Sequence, residues 1–351
     1  MTLSNHSKSA LLATTFAIAL VLAGCGDKTL DFRNAEINNG KIYASNANDP
    51  FSGKVTNIPY NQIFSDTDGL GKAQRAFLTV VKANDAVNYQ AVCDAPAHDG
   101  LRDGKVICKL PNSNTTEIET SFKDGNLDGD FKLYDRDGST ILNSVSFVNG
   151  QPDDKQEMYS PRTHKLVHIV HWSEGALNGE EEGFDEETGN RILHANWANG
   201  QHDGEYVEYA PDGKQVIDHV KFVHGVKDGD EELFYPDTGK PRQYGRYVDG
   251  HLTGTAKAWD PDGRLIYERD YANGNKVPDS PELIACIEHV INDVKEASDY
   301  TIGREDVARA YCRENPNANP GTATQAAIAP AAPELAPLTT AASSATAQPT
   351  N

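Results

Sequence analysis

From residue 111 to 278, short runs mix β-branched, aromatic and polar residues at near alternation, as in V-I-D-H-V-K-F-V at 216–223 and R-Q-Y-G-R-Y-V at 242–248. A period of two predicts half-buried strands. Between the runs stand N-G, D-G and P-D-G steps, which suit turns where consecutive residues take positive φ or where proline fixes the entry. Such steps every dozen residues would break helices. Each unit therefore reads as two short strands and two turns.

The units recur with a fixed length. A leading glycine falls at Gly100, Gly125, Gly150, Gly175, Gly200, Gly225, Gly250 and Gly274, a spacing of 25 with one final 24. Four residues on come Gly104, Gly129, Gly179, Gly204, Gly229 and Gly254, with Asp154 in the third unit and Pro278 after the last. Three residues before the leading glycine stands a ring: Phe122, Phe147, Trp172, Trp197, Phe222, Tyr247 and Tyr271. Nine residues after it comes another: Tyr134, Tyr159, Phe184, Tyr209, Phe234 and Trp259. The two sets are expected to stack as one column along one face of a sheet and to form its core. A lone hairpin is marginal in water, so units of this kind persist by pairing with their neighbours. At about 4.8 Å per strand, seven units would build a twisted rod of order 70 Å.

The glycine, glycine, ring and D-G pattern resembles the bacterial variant of the MORN repeat, and tandem arrays of it are similar to proteins labelled YwqK-family antitoxins. The resemblance covers residues 97–277, and N-N-G-K-I-Y…D-P-F-S-G at 38–53 looks like the family's opening unit. The pattern and the resemblance together give a mostly β fold, an elongated single-layer array of β-hairpin (MORN-like) repeats, to which the sequence of the ends adds a small C-terminal α-helical cap and disordered ends. The antitoxin label implies binding and neutralising a toxic partner. The segment Val55 to Val92 departs from the period and is expected to be an insertion closed by a Cys93–Cys108 bridge.

The ends of the chain differ in kind. Lys8, an apolar run from Ala10 to Ala23 and small residues before Cys25 read as an export signal, residues 1–24. Leu22-Ala23-Gly24-Cys25 looks like a lipobox, which implies lipidation of Cys25 and anchoring to a membrane face by several acyl chains. Gly26, not aspartate, follows the cysteine, which favours the outer membrane and a periplasm-facing lipoprotein of the cell envelope. Residues 25–48 are expected to form a tether and 49–110 an N-terminal repeat-like segment with its insertion. The repeats then occupy 111–278. Within 279–314, Leu283, Ile284, Ile287, Val290, Ile291 and Val294 fall at helical spacing behind Ser280 and Pro281. A second helix, R-E-D-V-A-R-A-Y-C, follows Gly303, and the pair should cap the exposed sheet edge. Residues 315–351, rich in Pro, Ala and Thr, have too little to bury and are expected to be disordered.

With Cys25 set aside, Cys93, Cys108, Cys286 and Cys312 remain, an even number that suits two bridges in an oxidising compartment. Sequence neighbours are expected to pair. The absence of any C-x-x-C argues against zinc. The chain carries a net charge of -20, and loss of Lys8 with the signal makes it -21. That charge repels phosphate, excluding nucleic acid as a natural partner and leaving a basic protein or a toxin. Asp130, Glu180, Glu205 and Asp230 recur five residues after the leading glycine, about 10 Å apart on an open sheet, which suits a solvated acidic stripe better than a cation cage. His168, His171, His194 and His219 are expected to face solvent, two strands being too wide a gap for shared metal ligation. No nucleophile, phosphate-loop or metalloprotease motif is present, so neither an enzyme nor a cofactor is expected. Two functions follow: a non-enzymatic, lipid-anchored platform for a protein partner, or an antitoxin or immunity protein. The candidate binding residues are Trp172, Trp197, Tyr209, Glu180, Glu205 and Asp230.

Overall fold

The computed structural model describes residues 28–81, 90–293 and 304–316. The signal, Cys25, Val294 and the tail from 317 onward lie outside the described residues. The fold is mostly β, one long mixed sheet of 21 strands with few helices. Its N-terminal edge is a parallel pair, Thr29–Asp31 beside Gly53–Pro59, with Leu30 opposite Val55. Every later pairing is antiparallel and joins strands that are close in sequence. Gly53–Pro59 pairs with Val92–His98, that strand with Gly104–Lys109, and that in turn with Thr116–Lys123. The same order continues to Leu265–Ala272 and the two-residue strand Asn275–Lys276.

The leading glycine and the residue before it both have positive φ, for instance Asn149 at 49° with Gly150 at 81° and Asn199 at 51° with Gly200 at 79°. Two consecutive residues of this kind make the turn whose twist matches antiparallel strands. Successive turns are also bonded to each other. Gly150 N–H donates to Leu127 C=O at 2.7 Å, Gly175 to Pro152 at 2.9 Å and Gly200 to Leu177 at 2.8 Å. A backbone ladder thus runs along one margin of the sheet and ties each unit to the one before. The second glycine has its own reason: Gly129 sits at φ 104°, where a Cβ would meet the Ser121 hydroxyl at 2.5 Å.

The expectations are corrected at some points and given detail at others. Residues 28–44 are no tether: Thr29–Asp31 joins the sheet, Ala35–Asn38 pairs with Lys41–Ala44, and Leu30 and Ile42 are buried in the main core. The departure from period at 55–92 holds a strand, Gly53–Pro59, a short helix, Tyr60–Ile63, and a longer one, Asp68–Val81. Finally, the two ring sets do not stack together. Ile118 shares a face with Phe122 two positions along twice, and Leu133 is its cross-strand partner, so the next residue, Tyr134, points to the other face. Phe122 pairs across the strands with Leu127 and shares its buried cluster with Phe131 and Leu133, each at most 1% exposed.

Helix Asp68–Val81 covers that face. Gly69 rests against Gly150, where a Cβ would stand 2.1 Å from the carbonyl oxygen. Leu70, Ala73 and Phe77 are buried in the core with Phe131, Phe147 and Met158. Phe131 meets Phe147 edge-on at 6.4 Å and Phe64 at 6.0 Å, geometry that adds to area burial. This cluster ends at Trp172.

At the far end, helices Pro281–Asp293 and Arg304–Glu314 enclose Ile287, Val290, Ala308 and Tyr311 around the Cys286–Cys312 disulfide. Ile284, counted with that apolar stripe in the sequence, is instead 45% exposed. Ala310 packs with Trp259 and Leu265. Arg309, 1% exposed, reaches Asp279 at 2.6 Å and donates toward the Glu268 carbonyl at 3.4 Å, on the strand at the sheet's open edge.

Candidate functional site

Where helix Asp68–Val81 stops, the same sheet face continues uncovered among the described residues. Its chemistry can be followed at the position six residues after each leading glycine: Phe131, Gln156, Glu181, Tyr206, Glu231 and Ala256. Beneath the helix, Gln156 is fully satisfied. Its Nε2 donates to Ala73 C=O and to Asn143 Oδ1, both at 2.9 Å, and its Oε1 accepts from Trp172 Nε1 at 2.9 Å. One unit on, Glu181 takes that place and can only accept, so no helix carbonyl could be satisfied by it. Trp197 Nε1 donates to it at 2.6 Å and His168 Nε2 lies 2.7 Å away. Burial opposes the charge of Glu181, but the hydrogen bonds from His168 and Trp197 outweigh it and hold the carboxyl below its usual range.

Beside this group the rings form a ladder. Trp197 lies on His202 with centroids 3.8 Å apart and planes 33° apart; His202 lies on Phe222 at 5.2 Å. Tyr206 stands edge-on to His202 at 5.6 Å and to Phe222 at 6.1 Å. Burial drives the His202 imidazole pKa down, against the opposing charge of Glu181. The Tyr206 hydroxyl donates to Glu208, and burial followed by that carboxylate pushes its phenol pKa up.

Carboxylates complete the surface. Glu208 is the cross-strand partner of Asp218. Burial, then the charges of Glu231 and Glu208, raise the Asp218 pKa to about 6, and its Oδ1 is buried with no hydrogen-bond partner. Glu231 is paired with Lys227, whose ammonium lies 5.2 Å from the Tyr247 ring centroid. Between the helix terminus and the sheet opens a cleft of about 680 Å³, with Val80, Val81, Val167, Leu193, Ile217 and Glu208 on its walls.

The residues singled out from sequence divide between the two faces. Trp172 and Trp197 are on the helix-bearing face, the first buried and the second half-buried. Glu180, Glu205 and Asp230 are exposed on the opposite face, since Glu181, Tyr206 and Glu231, next to each, belong to the ring face. There Glu205 meets His219 at 2.7 Å, and Asp230 accepts from Tyr244 at 2.9 Å. The Glu180 carbonyl lies 2.8 Å from His171 Nδ1. Tyr209 is buried at a strand end beside the cleft. His168 does not face solvent as expected; it is 9% exposed against Glu181.

Glu181, His202, Tyr206, Glu208 and Asp218 were not singled out from the sequence, and Phe222 was read only as a core ring. A parity signal could have found them, because the second glycine pairs with the next unit's ring, as Gly179 does with Trp197. The residue two beyond that glycine therefore shares the ring's face, and the residue one beyond does not. Both expected disulfides are present, Cys93–Cys108 and Cys286–Cys312. Among the described residues, no three His, Cys, Asp or Glu converge as metal ligands, and no helix is long and apolar enough to cross a membrane.

No family model and no curated protein matches the chain. Among solved structures, 28% of the chain is similar to 19% of a mutant S. aureus TarM in complex with Fondaparinux, alpha-GlcNAc-glycerol and UDP, at 13% identity and a TM-score of 0.19. A likeness of that size carries neither fold nor function.

Proposed function

We propose that this chain is a non-enzymatic, lipid-anchored protein of the cell envelope whose β-hairpin units, of MORN-like type, form a platform for a protein partner. The observation that carries this reading is the change along one continuous face. It is sealed by an intramolecular helix as far as Trp172, then left open with half-buried Trp197, His202, Tyr206 and Phe222 displayed. Contiguous, partly exposed rings with a polar rim are a mark of an interaction surface. Binding also suits the carboxylates better than catalysis does, because they are spread along successive strands. The lipobox at Leu22–Cys25 supplies the anchor, and Gly26 after it favours the outer membrane, facing the periplasm. Two disulfides suit that oxidising compartment.

Photo-crosslinkers placed at Tyr206 or Phe222, followed by affinity capture from envelope membranes, test the reading. A discrete protein adduct is expected from these positions. No adduct from either, together with failure of the chain to incorporate labelled fatty acid at Cys25, would overturn it. An immunity role would appear in the same experiment as capture of a toxic effector, with loss of viability on deletion of this chain.

A further inference from the structure

The open face has a built-in precedent for what covers it. Helix Asp68–Val81 lies along strand Gln151–Tyr159: Gly69 packs on Gly150, Gln156 bonds to Ala73 C=O, and the Lys72 ammonium donates to Gly175 C=O at 3.0 Å and Gln151 Oε1 at 3.1 Å. Two strands advance a sheet by about 10 Å. Packed helices stand about 8–10 Å apart. The next unit therefore offers a second berth, parallel to the first, at the spacing a neighbouring helix requires. Its near wall is the helix's own Val80 and Val81, the cleft is lined by His168, Leu193 and Glu208, and Glu181, bonded to His168 and Trp197, continues the same face.

The floor differs from that of the first berth in one consistent respect. The amide of Gln156 becomes the carboxylate of Glu181, and Met158 becomes Gly183 and then Glu208 at the same position of later units. Asn143 gives way to His168, Leu193 and Asp218 along the same register. Flanking these acids are the ring faces of Trp197, His202, Tyr206 and Phe222, which attract cations as well as apolar groups. Lys227, a cation that acts on Asp218, is already paired with Glu231. Asp218 Oδ1 has no partner.

We propose that this second berth receives an amphipathic, lysine- or arginine-bearing α-helix of the protein partner, its apolar stripe filling the cleft beside Val80 and Leu193 and its cations facing Glu181, Glu208 and Asp218. This deepens the platform reading and rests on it. Small residues on the incoming helix would allow close approach, as Gly69 and Ala73 do on the resident one.

The test uses two synthetic 14-residue helices with the same leucine stripe, one with lysine and one with glutamate at the remaining positions, titrated calorimetrically into the purified protein. The lysine helix is expected to bind and the glutamate helix not. Glu181→Gln with Asp218→Asn, which keeps the Trp197 acceptor in the form Gln156 already shows, is expected to weaken binding at least tenfold. Glu180→Gln with Glu205→Gln, on the opposite face, should change it less than twofold. Equal binding of both helices, or equal sensitivity to the two double variants, would overturn the proposal. Failure of the lysine helix, with a captured partner crosslinking beside Glu205 instead, would overturn it too while leaving the platform intact.

Discussion

Trp197 donates its indole N–H to Glu181 at 2.6 Å in the place where, one unit earlier, Trp172 donates to Gln156. The two pairs isolate charge from shape. Glu181→Gln should fold and cost no more than about 1 kcal/mol, because the indole keeps its acceptor. Glu181→Leu leaves both the indole and His168 without one, and should cost roughly 1–3 kcal/mol. Urea unfolding of the two variants checks the difference, and equal losses would contradict it.

Asp218 sets a pH dependence of defined sign. With its folded pKa raised from 3.8 to about 6, the folded chain holds this proton more tightly than the unfolded chain does. Stability from this group is therefore greatest below about pH 4 and falls as pH rises through about 6. The side chain is partly open to water, so the effect is discounted to the order of 1 kcal/mol. Asp218→Asn should flatten this stretch of the stability profile and stabilise the protein at pH 7. A variant with an unchanged profile would show that the pKa of this carboxyl is not raised in the folded chain.

Gly69 governs how the resident helix sits. Alanine there favours helix formation intrinsically by up to about 1 kcal/mol. Its methyl, however, would stand 2.1 Å from the Gly150 carbonyl, a backbone atom that cannot turn away. The clash should win, with a net loss of roughly 1–3 kcal/mol in thermal or urea unfolding. A gain in stability would mean that the helix can slide on the sheet.

Arg309 is the fastening of the far end. It is buried with Asp279, Glu305 and Asp306 around it. Arg309→Met leaves Asp279 with the 3.9 Å contact to Arg313, while Arg269 still pairs with Glu305 and Asp306, so the loss should be about 3 kcal/mol, the lower end for a broken buried pair. Freed helices would uncover the edge of strand Leu265–Ala272, so concentration-dependent association should follow, measurable by light scattering. Cutting the Cys286–Cys312 bridge, which closes a separation of 26 residues, should act in the same direction by about 3.5 kcal/mol in the chain-entropy model.

The turns were legible in the sequence because Asn149-Gly150 and its equivalents must take positive φ, and few other residue pairs do so without strain. Side-chain facing was harder. The rings before and after each glycine look equivalent as spacings, but the register that sets Gly129 opposite Phe147 and Leu133 opposite Ile118 sends Tyr134 to the other surface. The acids at Glu180 and Glu205 were singled out for their regularity, although the carboxylate that touches a tryptophan is Glu181. Helix Asp68–Val81 was hidden by Gly69 and Gly71 in its first turn, despite Leu70, Ala73 and Phe77 on one side. Gly69 reflects close contact with the sheet, a tertiary demand that local propensity does not register.

The parallel strand Thr29–Asp31 bears on how the molecule would stand in the envelope. With lipid on Cys25 as proposed, only Gly26, Asp27 and Lys28 intervene, a reach of roughly 14 Å even when fully drawn out. The first margin of the sheet would then be moored at the bilayer, without slack. Trp197 lies ten strands from that margin, roughly 50 Å along the sheet. The number of units would act as a ruler, setting the altitude at which a partner is met.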